Sequence, residues 1–305
     1  MTTPPVPPAD GPVGAQPELP ACVRHPDRPT GLRCARCERP ACPECLREAP
    51  VGYQCVDCVN QARRTVRRPV TVAGAELVSK PVVTPVLIAI NVVIFAITAV
   101  QAKSVFDLRS SNLYVDWLLW PQRASAGSWW NLITSGFLHV NPIHLVLNMV
   151  ALWVLGRDME LVLGRVRFVG LYVLALIGGG VSVYLFGAPD VPVVGASGAI
   201  FGLMGGLLVA LVRLRLDPKS AIGVIAMNLI ISVSLPGISL LGHLGGLVVG
   251  AAATAGLVYA PPARRTPLQI ATMVALLAVL VVLIVVRTSQ LGCQDVGVGI
   301  YCPRG

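Results

Sequence analysis

From residue 81 onward the chain alternates long apolar runs with short polar breaks. Runs near 84–101, 142–156, 166–187, 197–212, 221–235, 239–259 and 267–286 predict seven membrane-spanning helices, a span needing about 20 apolar residues. The second and fifth runs are short by that measure. The pattern upstream is different. Residues 1–20 are polar and proline-rich and predict a disordered leader without a cleavable signal sequence. Residues 21–60 hold seven of the nine cysteines. Residues 61–80 read as a basic linker carrying Arg63, Arg64, Arg67 and Arg68. The two halves of the apolar region share no repeat.

Composition agrees with the pattern. The 305 residues are 54% hydrophobic and 13% charged, whereas a soluble chain would carry roughly 25% charged residues. The expected fold class is therefore an all-α polytopic membrane protein with a small soluble appendage. The net charge of +9 is mostly arginine in short loops, so it reads as a topology signal and not as a nucleic-acid patch. The linker arginines and Lys80 precede span one. Arg157, Arg165 and Arg167 join spans two and three. Arg213, Arg215 and Lys219 join four and five, and Arg264 and Arg265 join six and seven. With seven spans these all fall on one side, which predicts a cytoplasmic N-terminus and an extracellular C-terminus in a multi-pass cell-membrane protein.

Depth then sorts the polar residues. Spans two, four and six run inward from the outer face. Ser197 starts span four, His243 lies about a turn into span six, and His144 and Asn148 lie in the first turns of span two. At about 1.5 Å rise per residue all four reach one level below the outer surface. Intramembrane histidine is costly and marks a functional site by default. A serine between glycines, with a histidine as base, is the arrangement of nucleophilic catalysis. At a helix start the Ser197 N–H is free and the dipole favours negative charge. Gly246 and Gly250 give span six a small-residue face for close packing on span four. The plainer readings are small-residue packing for Ser197 and a structural hydrogen bond for His243. No Asp or Glu falls within spans two to six as drawn, so a Ser–His dyad is expected unless Asp190 reaches in from the outer loop. Phe201, one turn beyond Ser197, is placed to pack on the imidazole. His144 and Asn148, at i and i+4, share a helical face and can donate hydrogen bonds to an oxyanion. His139 is expected to support the loop. A metal site from His139, His144 and His243 would lack a carboxylate or thiolate ligand.

The run His139-x4-His144-x3-Asn148, the run Gly195-Ala196-Ser197-Gly198 and the glycine-flanked His243, in that order, resemble the rhomboid family of intramembrane serine proteases over roughly residues 80–260. The resemblance implies a six-helix core (residues 81–260) with a seventh span and tail added at 261–305. It also implies Ser197 as nucleophile, His243 as general base, His144 and Asn148 at the oxyanion, and transmembrane proteins as substrates. In one place the chain departs from the family pattern. The long first loop often carries Trp-Arg, and here Trp129-Trp130 is followed by Asn131.

The cysteine-rich module offers Cys22-x2-His25, Cys34-x2-Cys37, Cys42-x2-Cys45 and Cys55-x2-Cys58. Eight ligands in four pairs suit two tetrahedral zinc ions with no open position. So small a module needs metal to fold. It resembles a B-box-type zinc finger. Interleaved pairing would group Cys22, His25, Cys42 and Cys45 on one ion, and Cys34, Cys37, Cys55 and Cys58 on the other. Sequential pairing is the rival. A cytoplasmic module disfavours disulfides. Regulation, a cytoplasmic protein partner and a purely structural cap all fit it, and nucleic acid is not the expected partner. Cys293 and Cys302, on the outer side, fit a small disulfide loop, with free thiols as the alternative.

The expected activity is endopeptidase cleavage of transmembrane proteins through an acyl-enzyme, needing a lipid bilayer but no cofactor for catalysis, with zinc purely structural. A catalytically silent, client-binding relative is the first rival. A transporter would instead predict paired intramembrane charges or broken helices in both halves, and neither is present in the pattern.

Overall fold

The computed structural model describes residues 18–65, 69–296 and 299–302. Residues 1–17 of the leader, and Arg67 and Arg68 of the linker, lie outside the described residues. The chain forms two compact units, Met1–Arg68 and Pro69–Gly305.

The first unit holds two antiparallel hairpins, β1 (Ala21–Cys22) with β2 (His25–Pro29) and β3 (Leu46–Ala49) with β4 (Gly52–Cys55), followed by helix α1 (Val56–Thr65). Its buried residues are mostly cysteine: Cys22, Cys34, Cys42, Cys45, Cys55 and Cys58, joined by Thr30, Ala41 and Leu46. So little hydrocarbon cannot offset the entropy of ordering the chain. Arg63 and Arg64 sit in the last turn of α1, where the helix dipole favours cations.

The stretch expected as a linker is divided between the units. Residues 61–65 belong to α1. In the second unit Thr71 and Ala73 are buried, and Gln269 Nε2 donates to the carbonyls of Ala73 at 2.9 Å and Leu257 at 2.6 Å.

The second unit begins with α2 (Val83–Ala102). Short helices α3 (Asn112–Trp117), α4 (Pro121–Ser125) and α5 (Asn131–Thr134) follow in the first loop. The remaining long helices are α6 (Pro142–Leu163), α7 (Arg165–Phe186), α8 (Ser197–Arg213), α9 (Lys219–Ser234), α10 (Leu240–Val258) and α11 (Arg265–Leu291). By length and composition α2, α7, α10 and the segment Pro262–Leu291 can cross a membrane. The pair Asn131–Phe137 and Pro142–Leu163, bent by 95°, makes a fifth candidate. The short apolar helices are α8 and α9, at 17 and 16 residues. Apolar side chains such as Val93 on α2, Ile230 on α9 and Val282 on α11 face outward, as lipid contact requires.

Span two needs correction. It runs to Leu163 and is 22 residues long, because Arg157, Asp158 and Glu160 interrupt the apolar run without ending the helix. The span therefore contains carboxylates. The Glu160 side chain is fully buried and accepts from the backbone N–H groups of Val82 (2.7 Å), Val83 (2.9 Å) and Thr84 (2.9 Å), and from Thr84 Oγ1 (2.9 Å). These are the orphan donors of the first turn of α2, and a carboxylate there also meets the positive end of the dipole.

At the centre of the unit, α8 and α10 touch backbone to backbone. A Cβ on Gly246 would collide with the Gly198 carbonyl, and one on Gly250 with the backbone of Gly202. Helix α7 closes against both, with Gly179 against the Gly242 carbonyl. In the first loop, buried Asn131 donates from Nδ2 to the Leu118 carbonyl at 2.9 Å, and Arg123 Nη1 donates to the Val115 carbonyl at 2.9 Å. The loop is thus braced from within, although no arginine follows Trp130. A disulfide joins Cys293 to Cys302 across the hairpin of β5 (Gln294–Asp295) and β6 (Ile300–Tyr301). Cys293 and Leu291 pack in a cluster with Leu119, Ala124, Leu132, Val183 and Tyr184.

Candidate active site

Ser197 is the first residue of α8, and the turn that delivers it depends on Gly195. That glycine has φ +134°, and its N–H donates to the Ser135 carbonyl at 3.0 Å. A side chain there would be strained. Its Cβ would also lie 2.9 Å from His144 Cε1 and 3.5 Å from Ser197 Oγ. The bare backbone at Gly195 is what lets the imidazole of His144 stand beside the serine.

His243 lies in the first turn of α10, whose N-cap, Ser239, accepts from the Gly242 N–H at 3.1 Å. The close α8–α10 contact puts His243 Nε2 2.8 Å from Ser197 Oγ. The Phe201 ring stacks on the imidazole with centroids 4.0 Å apart and planes 12° apart. The other ring nitrogen, Nδ1, lies 2.7 Å from Ser232 Oγ on α9. Asp190 is exposed in the loop between α7 and α8, so the group behind the histidine is a serine that the sequence reading did not single out. A serine in an apolar helix reads as packing, and nothing in the spacing ties it to a residue on the next helix.

His144 is held by Asn141, whose side chain caps α6 by accepting from the His144 N–H at 2.9 Å. Buried Asn148 donates from Nδ2 to the His144 carbonyl at 2.9 Å. His139 is buried and meets His144 edge-on, centroids 5.1 Å apart.

In the first unit the fold brings the interleaved sets together: Cys22, His25, Cys42 and Cys45, and Cys34, Cys37, Cys55 and Cys58. Within each set the ligand atoms lie within 4.8 Å of one another. His25 Nδ1 is 3.4 Å from both Cys42 Sγ and Cys45 Sγ, and 3.9 Å from Cys22 Sγ. Cys37 and Cys55 sulfurs are 3.7 Å apart. Zinc–sulfur bonds of about 2.3 Å in a tetrahedron require about 3.8 Å between sulfurs, so the donor sets fit such an ion. The thiols respond unequally to crowding. The Cys42 backbone N–H, acting against burial, brings Cys22 down to about 6. Its contact with Cys37, together with burial, pushes Cys58 up to about 12. The three or four thiols of a set can all ionise only around a cation.

The fold and the site together define a polytopic helical membrane protein with a serine–histidine pair enclosed among its spans. Residues 126–260 match the family model for the rhomboid domain. The rhomboid protease GluP of Bacillus subtilis (strain 168) is 33% identical over 211 residues, 65% of this chain and 39% of GluP. YdcA of the same organism is 34% identical over 179 residues, 56% of this chain and 85% of YdcA. Inactive RHOMBOID-like protein 8 of Arabidopsis thaliana is 30% identical over 157 residues, 49% of this chain and 44% of that protein. The chain spans less than half the length of the first curated relatives it matches. It belongs to the rhomboid family.

Proposed function

We propose that this chain is an intramembrane serine endopeptidase that cleaves transmembrane proteins. The observation that carries the reading is the 2.8 Å contact between Ser197 Oγ and His243 Nε2 among apolar helices. Ser197 Oγ attacks the scissile carbonyl carbon while its proton passes to His243 Nε2. The oxyanion is met by the Ser197 N–H at the start of α8, with His144 and Asn148 as further donors. Collapse of the tetrahedral intermediate breaks the C–N bond, and the imidazolium protonates the leaving amine. Water then attacks the acyl-enzyme with His243 again as base, releasing the carboxylate and restoring Ser197.

The two thiol and imidazole clusters hold structural zinc in a cytoplasmic module, and the C-terminal hairpin lies outside the cell. The positive loops and the oxidised Cys293–Cys302 pair support this orientation. The module serves regulation or the capture of a cytoplasmic protein.

The test is cleavage of a single-span model substrate in liposomes by wild type and by Ser197→Ala. Cleavage by wild type that falls by about 10³-fold or more in the variant is the expected result. Absence of cleavage by wild type across several substrates, together with no labelling by a fluorophosphonate, would replace the protease reading with a client-binding one.

A further inference from the structure

We propose that Ser232 is a positioning residue that fixes the productive tautomer of His243. The inference rests on the dyad reading above and adds to it a third group from a different helix. Ser232 Oγ stands 2.6 Å from the Asn228 carbonyl oxygen and 2.7 Å from His243 Nδ1. A carbonyl can only accept, so the single hydroxyl proton is committed to Asn228. What remains on Ser232 Oγ is a lone pair, and the atom facing it must donate. The proton of neutral His243 therefore sits on Nδ1. That leaves the Nε2 lone pair directed at Ser197 Oγ, the only tautomer in which His243 can take the serine proton.

The i−4 bond from a serine to its own helix is common in apolar helices. Ser234 makes one to Ile230 on the same helix, yet Ser234 is exposed. Ser232 differs in being one of two buried residues on α9, with Ile225, and in spending its free lone pair on the imidazole. A neutral hydroxyl orients the ring and the tautomer, and it also stabilises the N–H of the imidazolium formed during acyl transfer, though less than a carboxylate would. Phe201 stacked on one face of the ring leaves rotation and tautomer as the freedoms that Ser232 removes.

The experiment has two independent readouts on the full chain in detergent micelles. The first is nitrogen-15 NMR of the histidine side chains, with the His243 resonances assigned by their loss in His243→Ala. Wild type is expected to show a protonated Nδ1 and an unprotonated Nε2. In Ser232→Ala the protonated-Nδ1 pattern is expected to give way to a mixture, and in Ser232→Thr, which keeps the hydroxyl, it is expected to return. The second is steady-state cleavage. Loss of a histidine-orienting carboxylate costs about 10⁴-fold, so loss of a neutral acceptor is expected to lower kcat by about 10- to 100-fold, with KM nearly unchanged and most of the loss restored by threonine. A wild-type His243 protonated on Nε2, or a Ser232→Ala protein with unchanged tautomer and unchanged kcat, overturns the proposal. Wild type that cleaves nothing while its His243 shows the Nδ1–H pattern overturns the protease reading and leaves the tautomer assignment standing, so the two failures are distinguishable.

Discussion

At the residue scale the site is a set of orientations imposed on one imidazole. Phe201 supplies the face contact, and its place one turn beyond Ser197 made it legible from the sequence, because i and i+4 on a helix must be neighbours. Ser232 was not legible. It lies 11 residues before His243, on a different helix, and only the packed structure shows which atom its free lone pair meets. A flat stack of this kind contributes about 0.5–1.5 kcal/mol, and about 1.4 kcal/mol is a tenfold rate change. Phe201→Leu, which keeps a somewhat smaller apolar side chain at this buried position and loses the flat face, is therefore expected to lower kcat by up to about tenfold while costing about 1 kcal/mol of stability. A variant as active as wild type would show that helix packing alone holds the ring.

At the scale of elements, periodicity and the glycine pattern predicted the contact of α8 with α10. Gly246 and Gly250 do meet the backbones of Gly198 and Gly202, since lipid offers no hydrophobic drive and close backbone approach must replace it. The sequence was misleading at the C-terminal end of α6. Charges predict the end of a span there, yet the helix continues and uses Glu160 to satisfy the first N–H groups of α2. Hydropathy registers the cost of a carboxylate but is blind to a partner more than seventy residues away. Glu160→Ala leaves four donors without that acceptor, two of them on buried Thr84, and charged hydrogen bonds are worth about 1.5–3 kcal/mol each before relaxation. We expect a net loss of about 3 kcal/mol, read as a lower unfolding midpoint in detergent, with a larger effect than Asp158→Ala, whose side chain is exposed and pairs with Arg157. Equal midpoints for the two variants would show that water or other groups cap α2.

At the scale of the molecule, the cysteines carry the information about compartments. Seven lie in the first unit, gathered with His25 into two four-ligand sets, and two lie after α11 in a disulfide. Both arrangements follow if the first unit faces a reducing cytoplasm and the tail an oxidising exterior, the orientation that the arginine-rich loops also predict. One labelling experiment on intact cells reads all three consequences. With a membrane-impermeant maleimide and no reductant, no cysteine is expected to react. After treatment with an impermeant reductant, two sites, Cys293 and Cys302, should label. In permeabilised cells the seven cysteines of the first unit should stay protected until a strong chelator is added, since zinc-bound thiolates lose their free reactivity and the unit loses its fold with the metal. Labelling of the first unit from outside intact cells would reverse the orientation. Full labelling of that unit in permeabilised cells without a chelator would remove the metal and leave the cysteine cluster to be explained as a reduced thiol core.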